Sequence, residues 1–244
     1  MDHINITRSF YLGSVKPCAR YSTRRRIDIL LDYVEDKDVL DLGCVEHEAA
    51  IEGKADWWLH GLIKKRAKKI VGVDCDAAAA DALNKKGYNI LKADVEDMQL
   101  NDTFDVVVAG ELFEHLTNHR SFLDSVRRHL NNEGIFVASM PNANSINYFM
   151  QTLVFGHELD SWDHAAFFTP ITLSVMLKKC GFEPVEIVLY QPDEIFHHER
   201  TSRRIVACLF NRIQQAVCWL RPSLSRGMII IAKPIRELIQ QSQK

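Results

Sequence analysis

Residues 39–44, VLDLGC, and residues 70–76, IVGVDCD, lie about thirty residues apart, and each is a short apolar run that carries a carboxylate, Asp41 in the first and Asp74 in the second. Runs of this length, bounded by glycine or polar residues, read as strands covered on both faces rather than as buried helices. Placing strands at Asp38–Gly43 and Lys69–Asp74 predicts five more of the same character, at Asn89–Ala93, Phe104–Gly110, Gly134–Met140, Pro184–Tyr190 and Gly227–Ala232. Helical stretches separate most of them. This alternation predicts a doubly wound α/β sheet, a fold that binds its ligands outside the carboxyl ends of the strands.

Capping residues mark the helices between the strands. Asp76 predicts the start of a helix over Ala77–Lys86 that stops at Gly87, Asn118 one that runs to Leu130, and Thr169 with Pro170 one that ends at Gly181. Ser22–Val34 carries apolar residues at Ile27, Ile29, Leu30, Leu31 and Val34, spacing compatible with a helix over the sheet or a cofactor pocket. Two segments break the alternation. Asn142–Asp163, rich in Asn, His, Phe and Trp, reads as an acceptor-side lid, with a packed surface excursion as the alternative. His198–Arg221 reads as a helical insertion between the last two strands.

With 244 residues, 47% of them apolar, the chain is expected to form one domain over 1–244. A net charge of −2 gives no basic stripe for phosphates, so nucleic acid is not expected as a partner. The six cysteines are scattered without a C-x-x-C pair and read as reduced and mostly buried. Eighteen apolar residues never run uninterrupted, and a cytoplasmic location is expected.

The chemistry is concentrated at the strand ends. After Asp41 the sequence is Leu-Gly-Cys-Val-Glu-His, which supplies one of the three glycines that a pyrophosphate-binding G-x-G-x-x-G turn needs. Asp41 and Glu46 would repel a pyrophosphate but suit a ligand bearing an ammonium and a sulfonium, which favours S-adenosylmethionine over a nicotinamide dinucleotide. Asp74 ends the second strand as an acceptor for a ribose diol, and Asp94 ends the third as an acceptor for an exocyclic adenine amine. The fourth strand, in FDVVVAGELFEHL, ends at Gly110 and Glu111, with Glu114 and His115 in the turn beyond.

The succession VLDLGC, IVGVDCD, ADVEDM, FDVVVAGELFEHL, GIFVASMPN and HAAFFTPITLSVMLKKCGF resembles class I S-adenosylmethionine-dependent methyltransferases over about Val39 to Val188. It is similar to small-molecule enzymes of the ubiquinone-methyltransferase-like branch and to those of surface-polysaccharide synthesis. The resemblance implies a Rossmann-like seven-stranded mixed sheet of order 3-2-1-4-5-7-6, its seventh strand antiparallel. It also implies cofactor contacts from Asp41, Gly43 and the adjoining Cys44 at the methionine end, from Asp74 with Cys75 at the ribose, from Asp94 and Val95 at adenine, and from Gly110 and Glu111 beside the methionine moiety. The family's first motif usually has further glycines; here Val45 and His47 stand near those positions, and a longer stretch to Leu62 includes Trp58, which either closes over the cofactor or packs a helix.

Methyl transfer to an oxygen requires a proton acceptor, and a neutral histidine suits it. His115, beyond the fourth strand, and His164, in SWDHAAFF, are the candidate catalytic bases; the alternative for each is a residue that only caps its turn or contacts its own segment. No metal is expected, since neither His197, His198 and Glu199 nor Asp160, Asp163 and His164 has a firm ligand spacing. A serine hydrolase is excluded by the lack of a G-x-S-x-G elbow. The expected activity is S-adenosylmethionine-dependent methylation of a hydroxyl on a sugar or glycan precursor, with S-adenosylhomocysteine as product. Alternatives are an inactive binding protein on the same fold and a nicotinamide oxidoreductase. A small-molecule, sugar-linked acceptor is the expected partner, with a homo-oligomer open. Membrane contact is not expected: the Arg200–Arg221 helix should bury Ile205, Leu209, Ile213, Ala216, Val217 and Leu220 against protein, leaving Arg203, Arg204, Arg212 and Arg221 at the rim.

Overall fold

A computed structural model describes residues 19–46, 57–157, 163–191 and 201–235, with side chains from residue 211 onward in the last stretch. The seven predicted strands form around the apolar runs, as β2 (Asp38–Leu42), β3 (Lys69–Asp74), β4 (Ile90–Lys92), β5 (Phe104–Gly110), β6 (Leu130–Pro141), β7 (Phe182–Tyr190) and β8 (Gly227–Pro234), and an unpredicted strand, β1 (Ala19–Ser22), precedes them. They make one sheet in the order β1-β7-β8-β6-β5-β2-β3-β4. β8 runs antiparallel to both β6 and β7, and the other pairings are parallel.

The sheet therefore has eight strands rather than the expected seven, and its order differs by an added edge. β1 pairs in parallel with β7, Ala19 opposite Ile187 through Ser22 opposite Tyr190, and so covers backbone groups of an otherwise open edge. That pairing also shortens the expected Ser22–Val34 helix. Ser22 is in the strand, its Oγ accepts from the Arg24 amide at 3.1 Å, and helix α1 spans only Arg26–Leu31.

Strand alternation sends successive side chains to opposite faces and divides the core in two. Leu40, Leu42, Val107 and Ala109 join one layer with Phe104, Phe113, Phe122, Phe136 and Phe182. Val39, Val106 and Val108 face the other, under Ile29, Leu30 and Val34 of α1 and the turn after it, and under Ile63 of α2 (Leu59–Lys64). Asp41 shares the parity of Val39, so its carboxylate sits on the layer covered by α1 and α2.

The capping residues act as expected. Asp76 accepts from the Ala79 amide at the start of α3 (Ala77–Asn84), and Asn118 from the Ser121 amide at the start of α4 (His119–His129). The next two helices are α5 (Ile146–Phe155) and α6 (Pro170–Lys179), the latter opened by a Thr169–Thr172 capping box with Pro170 in its first turn. α5 lies inside the segment expected to be a lid; it buries none of its residues, and Phe149, Leu153, Val154 and Phe155 are exposed. Residues 158–162, Asp160 among them, lie outside the described residues.

Helix α7 (Thr201–Leu220) corrects the expected burial. Its packed face carries Asn211, Gln214 and Cys218, while Ile213, Trp219 and Leu220 are 54%, 74% and 63% exposed. The physical reason is hydrogen bonding: Gln214 donates to Asn147 of α5, and the Cys218 thiol lies 3.8 Å from Gln191 Oε1, so the polar face has partners inside. Arg212 and Arg221 are exposed; the side chains of Arg203, Arg204, Ile205 and Leu209, and all of His197, His198 and Glu199, lie outside the described residues. Among the described residues no helix is long and apolar enough to cross a membrane.

Phe136 is fully buried in β6, with its ring 5.9 Å from Phe122 and 6.0 Å from Phe182. Phe136→Ala should lower unfolding free energy by about 3–5 kcal/mol through lost transfer energy and the cavity left behind. Urea unfolding followed by circular dichroism checks this, and an unchanged midpoint would remove Phe136 from the core.

Candidate active site

The carboxyl ends of β2 and β5 lie side by side at the centre of the sheet, and a cleft opens there. Arg26, Asp41, Gly43, Trp58, His60 and Gly110 are among its lining residues, with Cys44, Val45 and Glu46 of the turn after β2. Gly43 has φ +64°, so the turn favours glycine, and a Cβ there would come 2.8 Å from Leu112 Cδ1 and push that side chain aside. At Gly110 an added Cβ would stand 2.7 Å from Leu59 Cδ2 and 3.3 Å from Arg26 Nη1.

Residues 47–56, His47 among them, lie outside the described residues, and Trp58 stands just before α2. Its indole is buried and donates to the Cys44 carbonyl at 2.7 Å, and its ring packs edge-on against Tyr88, 4.8 Å between centroids. Trp58 thus holds the turn and lines the cleft together. Two residues later, His60 Nδ1 meets Asp41 Oδ2 at 2.9 Å, with both residues buried. A carboxylate without water needs such a partner.

Arg26, at the start of α1, is the cation of this cleft. Its Nη1 donates to Ser139 Oγ at 3.1 Å and lies 3.7 Å from Glu111 Oε1. Glu111 has φ 52°, an uncommon conformation for a residue with a side chain, held by its amide donating to the Ser139 carbonyl at 3.0 Å. That geometry turns the chain from one cleft to the next.

The second cleft is lined by Glu111, Glu114, His115, Tyr148, His164 and Tyr190, with Pro141 and Arg226. The Glu114 carbonyl accepts from the amides of Ala165 and Ala166 at 2.8 and 3.0 Å, which ties the segment after residue 162 to the turn after β5. This brings His115 and His164 together, 4.7 Å between ring centroids. His115 Nδ1 lies 3.1 Å from Asp163 Oδ2. Ligand atoms of Glu114, His115 and His164 fall within 4.8 Å of one another, a donor set that a divalent cation could use and that no local spacing disclosed.

Of the predicted site residues, Asp41, Gly43, Cys44, Trp58 and Gly110 line the first cleft, and Glu111, His115 and His164 the second. Asp74, Cys75, Asp94 and Val95 line neither. Asp74, buried at the end of β3, accepts from the Val45 amide at 2.9 Å and the Asp76 amide at 3.0 Å, one on each oxygen. Asp94 is exposed, and its Oδ1 accepts from the Glu96 amide within its own turn. Arg26, His60, Tyr148 and Tyr190 were missed by sequence reasoning, whereas Glu114 and Asp163 were noted there without a role at the site. Arg26 and Asp163 carry a signal, a charge beside an apolar run; the others depend on tertiary contacts.

Comparison with known proteins follows from this geometry. A family profile described as a methyltransferase domain matches residues 19–187. The chain is 26% identical over 104 residues to a ubiquinone biosynthesis O-methyltransferase of Rickettsia canadensis, covering 41% of this chain and 44% of that protein. It is 23% identical over 164 residues to its counterpart in Rickettsia bellii, covering 63% and 65%. The chain thus spans less than two thirds of the length of these curated relatives. A crystal structure of a SAM-dependent methyltransferase from Archaeoglobus fulgidus superposes with a TM-score of 0.57 at 21% identity, covering 85% of this chain and 91% of that one, a likeness of fold.

The two cysteines at the strand ends differ in access. Burial, then the Asp41 and Asp74 carboxylates, push the buried Cys44 thiol far up; partial burial and Asp74 raise the exposed Cys75 thiol. A raised thiol pKa leaves less thiolate at pH 8. Iodoacetamide should therefore alkylate Cys75 slowly and leave Cys44 intact in the folded protein, with both labelled after denaturation. Mass spectrometry checks this, and equal labelling of the two in the native state would contradict it.

Proposed function

The chain belongs to the methyltransferase domain family, its members being class I S-adenosylmethionine-dependent enzymes, and on that premise we propose that it methylates a hydroxyl of a small molecule held in the second cleft. The observation that carries this reading is the join between the clefts: the consecutive residues Gly110 and Glu111 line one each. A donor in the first cleft and an acceptor in the second would meet at that peptide.

The first cleft fits the amino-acid end of the cofactor. It holds a cation, Arg26, and a carboxylate, Asp41, complementary to a zwitterion, whereas a pyrophosphate would meet Asp41 and Glu46. Bound S-adenosylmethionine supplies an electrophilic methyl on a sulfonium. Arg26 is proposed to hold its carboxylate and Asp41 its ammonium. Asp74 is proposed at the ribose: each oxygen accepts one amide and, being ionised, can accept again. Because the positive charge is lost on transfer, the carboxylates do most for turnover when placed on the ribose and ammonium rather than against sulfur.

His115 is the proposed base. With Asp163 accepting from Nδ1–H, the neutral tautomer is fixed with its lone pair on Nε2, the atom proposed to take the hydroxyl proton. A second reading has its own observation: the convergence of Glu114, His115 and His164 supports a divalent cation that would bind and acidify the acceptor hydroxyl. The names of the relatives favour oxygen as the acceptor atom. The narrower expectation of a sugar or glycan has no feature of the cleft in its support; sugar-linked and phenolic hydroxyls are separated by assaying both with labelled donor.

Asp74→Ala should weaken S-adenosylhomocysteine binding by about 2–4 kcal/mol, the worth of two charge-assisted hydrogen bonds. Calorimetry measures it, and unchanged affinity in a folded variant would remove Asp74 from the ribose.

His115→Ala should lower turnover by about 10²–10⁴-fold with cofactor affinity little changed. Initial rates with labelled donor check this, and full activity of the variant would reject the assignment. A chelator separates the two readings: activity that survives it supports the base alone, and activity that is lost and restored by a divalent cation supports the metal.

A further inference from the structure

We infer that His60 is a positioning residue for the cofactor's ammonium, acting through Asp41; this rests on the reading of the first cleft as the methionine site. His60 lies between the stretches VLDLGC and IVGVDCD that carry the resemblance in the sequence, and is part of neither. It stands in the first turn of α2 and is fully buried.

Three observations define what the imidazole does. Its Nδ1 meets Asp41 Oδ2 at 2.9 Å, so with Asp41 ionised Nδ1 carries the hydrogen and donates it. Its Nε2 is buried and makes no hydrogen bond among the described residues, and its ring lies 5.2 Å from Trp58 and 5.9 Å from Tyr88. With the hydrogen on Nδ1, Nε2 carries the ring's lone pair and the imidazole acts as a neutral donor to Asp41. The neighbouring strand is cut away to admit the ring: a Cβ at Gly72 would stand 2.9 Å from His60 Cε1 and 2.6 Å from Cys44 Sγ.

A neutral donor has a specific consequence. Lysine or arginine at this place would fix Asp41 and cancel its charge, whereas neutral histidine fixes one oxygen and leaves the negative charge for a cation in the cleft. Among the described residues, Trp58 and Cys44, which adjoin the pair, Tyr88, which flanks the ring, and Asp74, which ends the next strand, bring no cation to it, and the Lys64 ammonium sits over the Tyr88 ring, 4.2 Å from its centroid. Arg26 lines the same cleft but is engaged with Ser139 and Glu111.

The test compares two ligands that share adenosine and a thioether: S-adenosylhomocysteine, which has the ammonium, and 5′-methylthioadenosine, which lacks the whole amino-acid part. His60→Phe keeps a ring between Trp58 and Tyr88 and deletes the donor; His60→Asn restores a neutral donor near the Nδ1 position. By calorimetry, His60→Phe should lose about tenfold or more of its affinity for S-adenosylhomocysteine, the worth of a misplaced charged contact, and change for methylthioadenosine by no more than about twofold. His60→Asn should recover most of the loss. Should His60→Phe not fold, Asp41→Asn, which keeps the shape and removes the charge, should give the same selective loss. Parallel losses for both ligands, or none for either, would overturn the inference. Wild-type protein that binds neither ligand would overturn the cofactor reading itself, a separate outcome from selective retention in the variants.

Discussion

A carboxylate buried at the centre of the sheet is the constraint around which this chain is built. Asp41 follows Leu40 on a strand flanked by two parallel neighbours, and it is 2% exposed. Removing one such charge from water costs several kcal/mol unless partners are fixed in place. The partner comes from α2, whose first turn brings His60 onto Asp41 while Trp58, just before it, ties the Cys44 carbonyl. Gly72 on β3 leaves room for the ring, and the turn at Gly43 is closed by its amide donating to the Val73 carbonyl. Each of these residues would be a poor choice without the carboxylate.

The same arrangement separates two kinds of chemistry. On the β2 side, Arg26 and Asp41 present opposite charges suited to holding a zwitterion in orientation. On the far side of Gly110, two histidines with Glu114 and Asp163 are suited to moving a proton or holding a cation. The left-handed conformation of Glu111 redirects the chain between them. Strain of this kind persists where the surroundings hold it, and here the Ser139 carbonyl and hydroxyl both accept from the Glu111 amide.

The fold was legible because its signals are local. Apolar run length marked β3 and β5 to the residue, and Asp76, Asn118 and Thr169 each cap the helix expected of them. β1 was missed because ARYS has no apolar run; it is a strand by virtue of pairing with β7, a tertiary effect. α7 misled because spacing shows where an apolar stripe lies and not which face finds partners, and Gln214 had Asn147 waiting. The site divides likewise. Strand-end carboxylates could be read from position, but the meeting of His115 with Asp163 and His164 depends on the two amides that dock on the Glu114 carbonyl. Asp94 was assigned by analogy of position, and its carboxylate closes its own turn.

The claim that the cofactor lies along the ends of β2, β3 and β5 is tested most directly by amide hydrogen exchange with and without S-adenosylhomocysteine. The account predicts slowed exchange at Gly43–Val45, at Asp74–Asp76 and at Gly110–Glu111, with β7 and β8 unchanged. Slowing confined to other segments, or no slowing at saturating ligand, would contradict it.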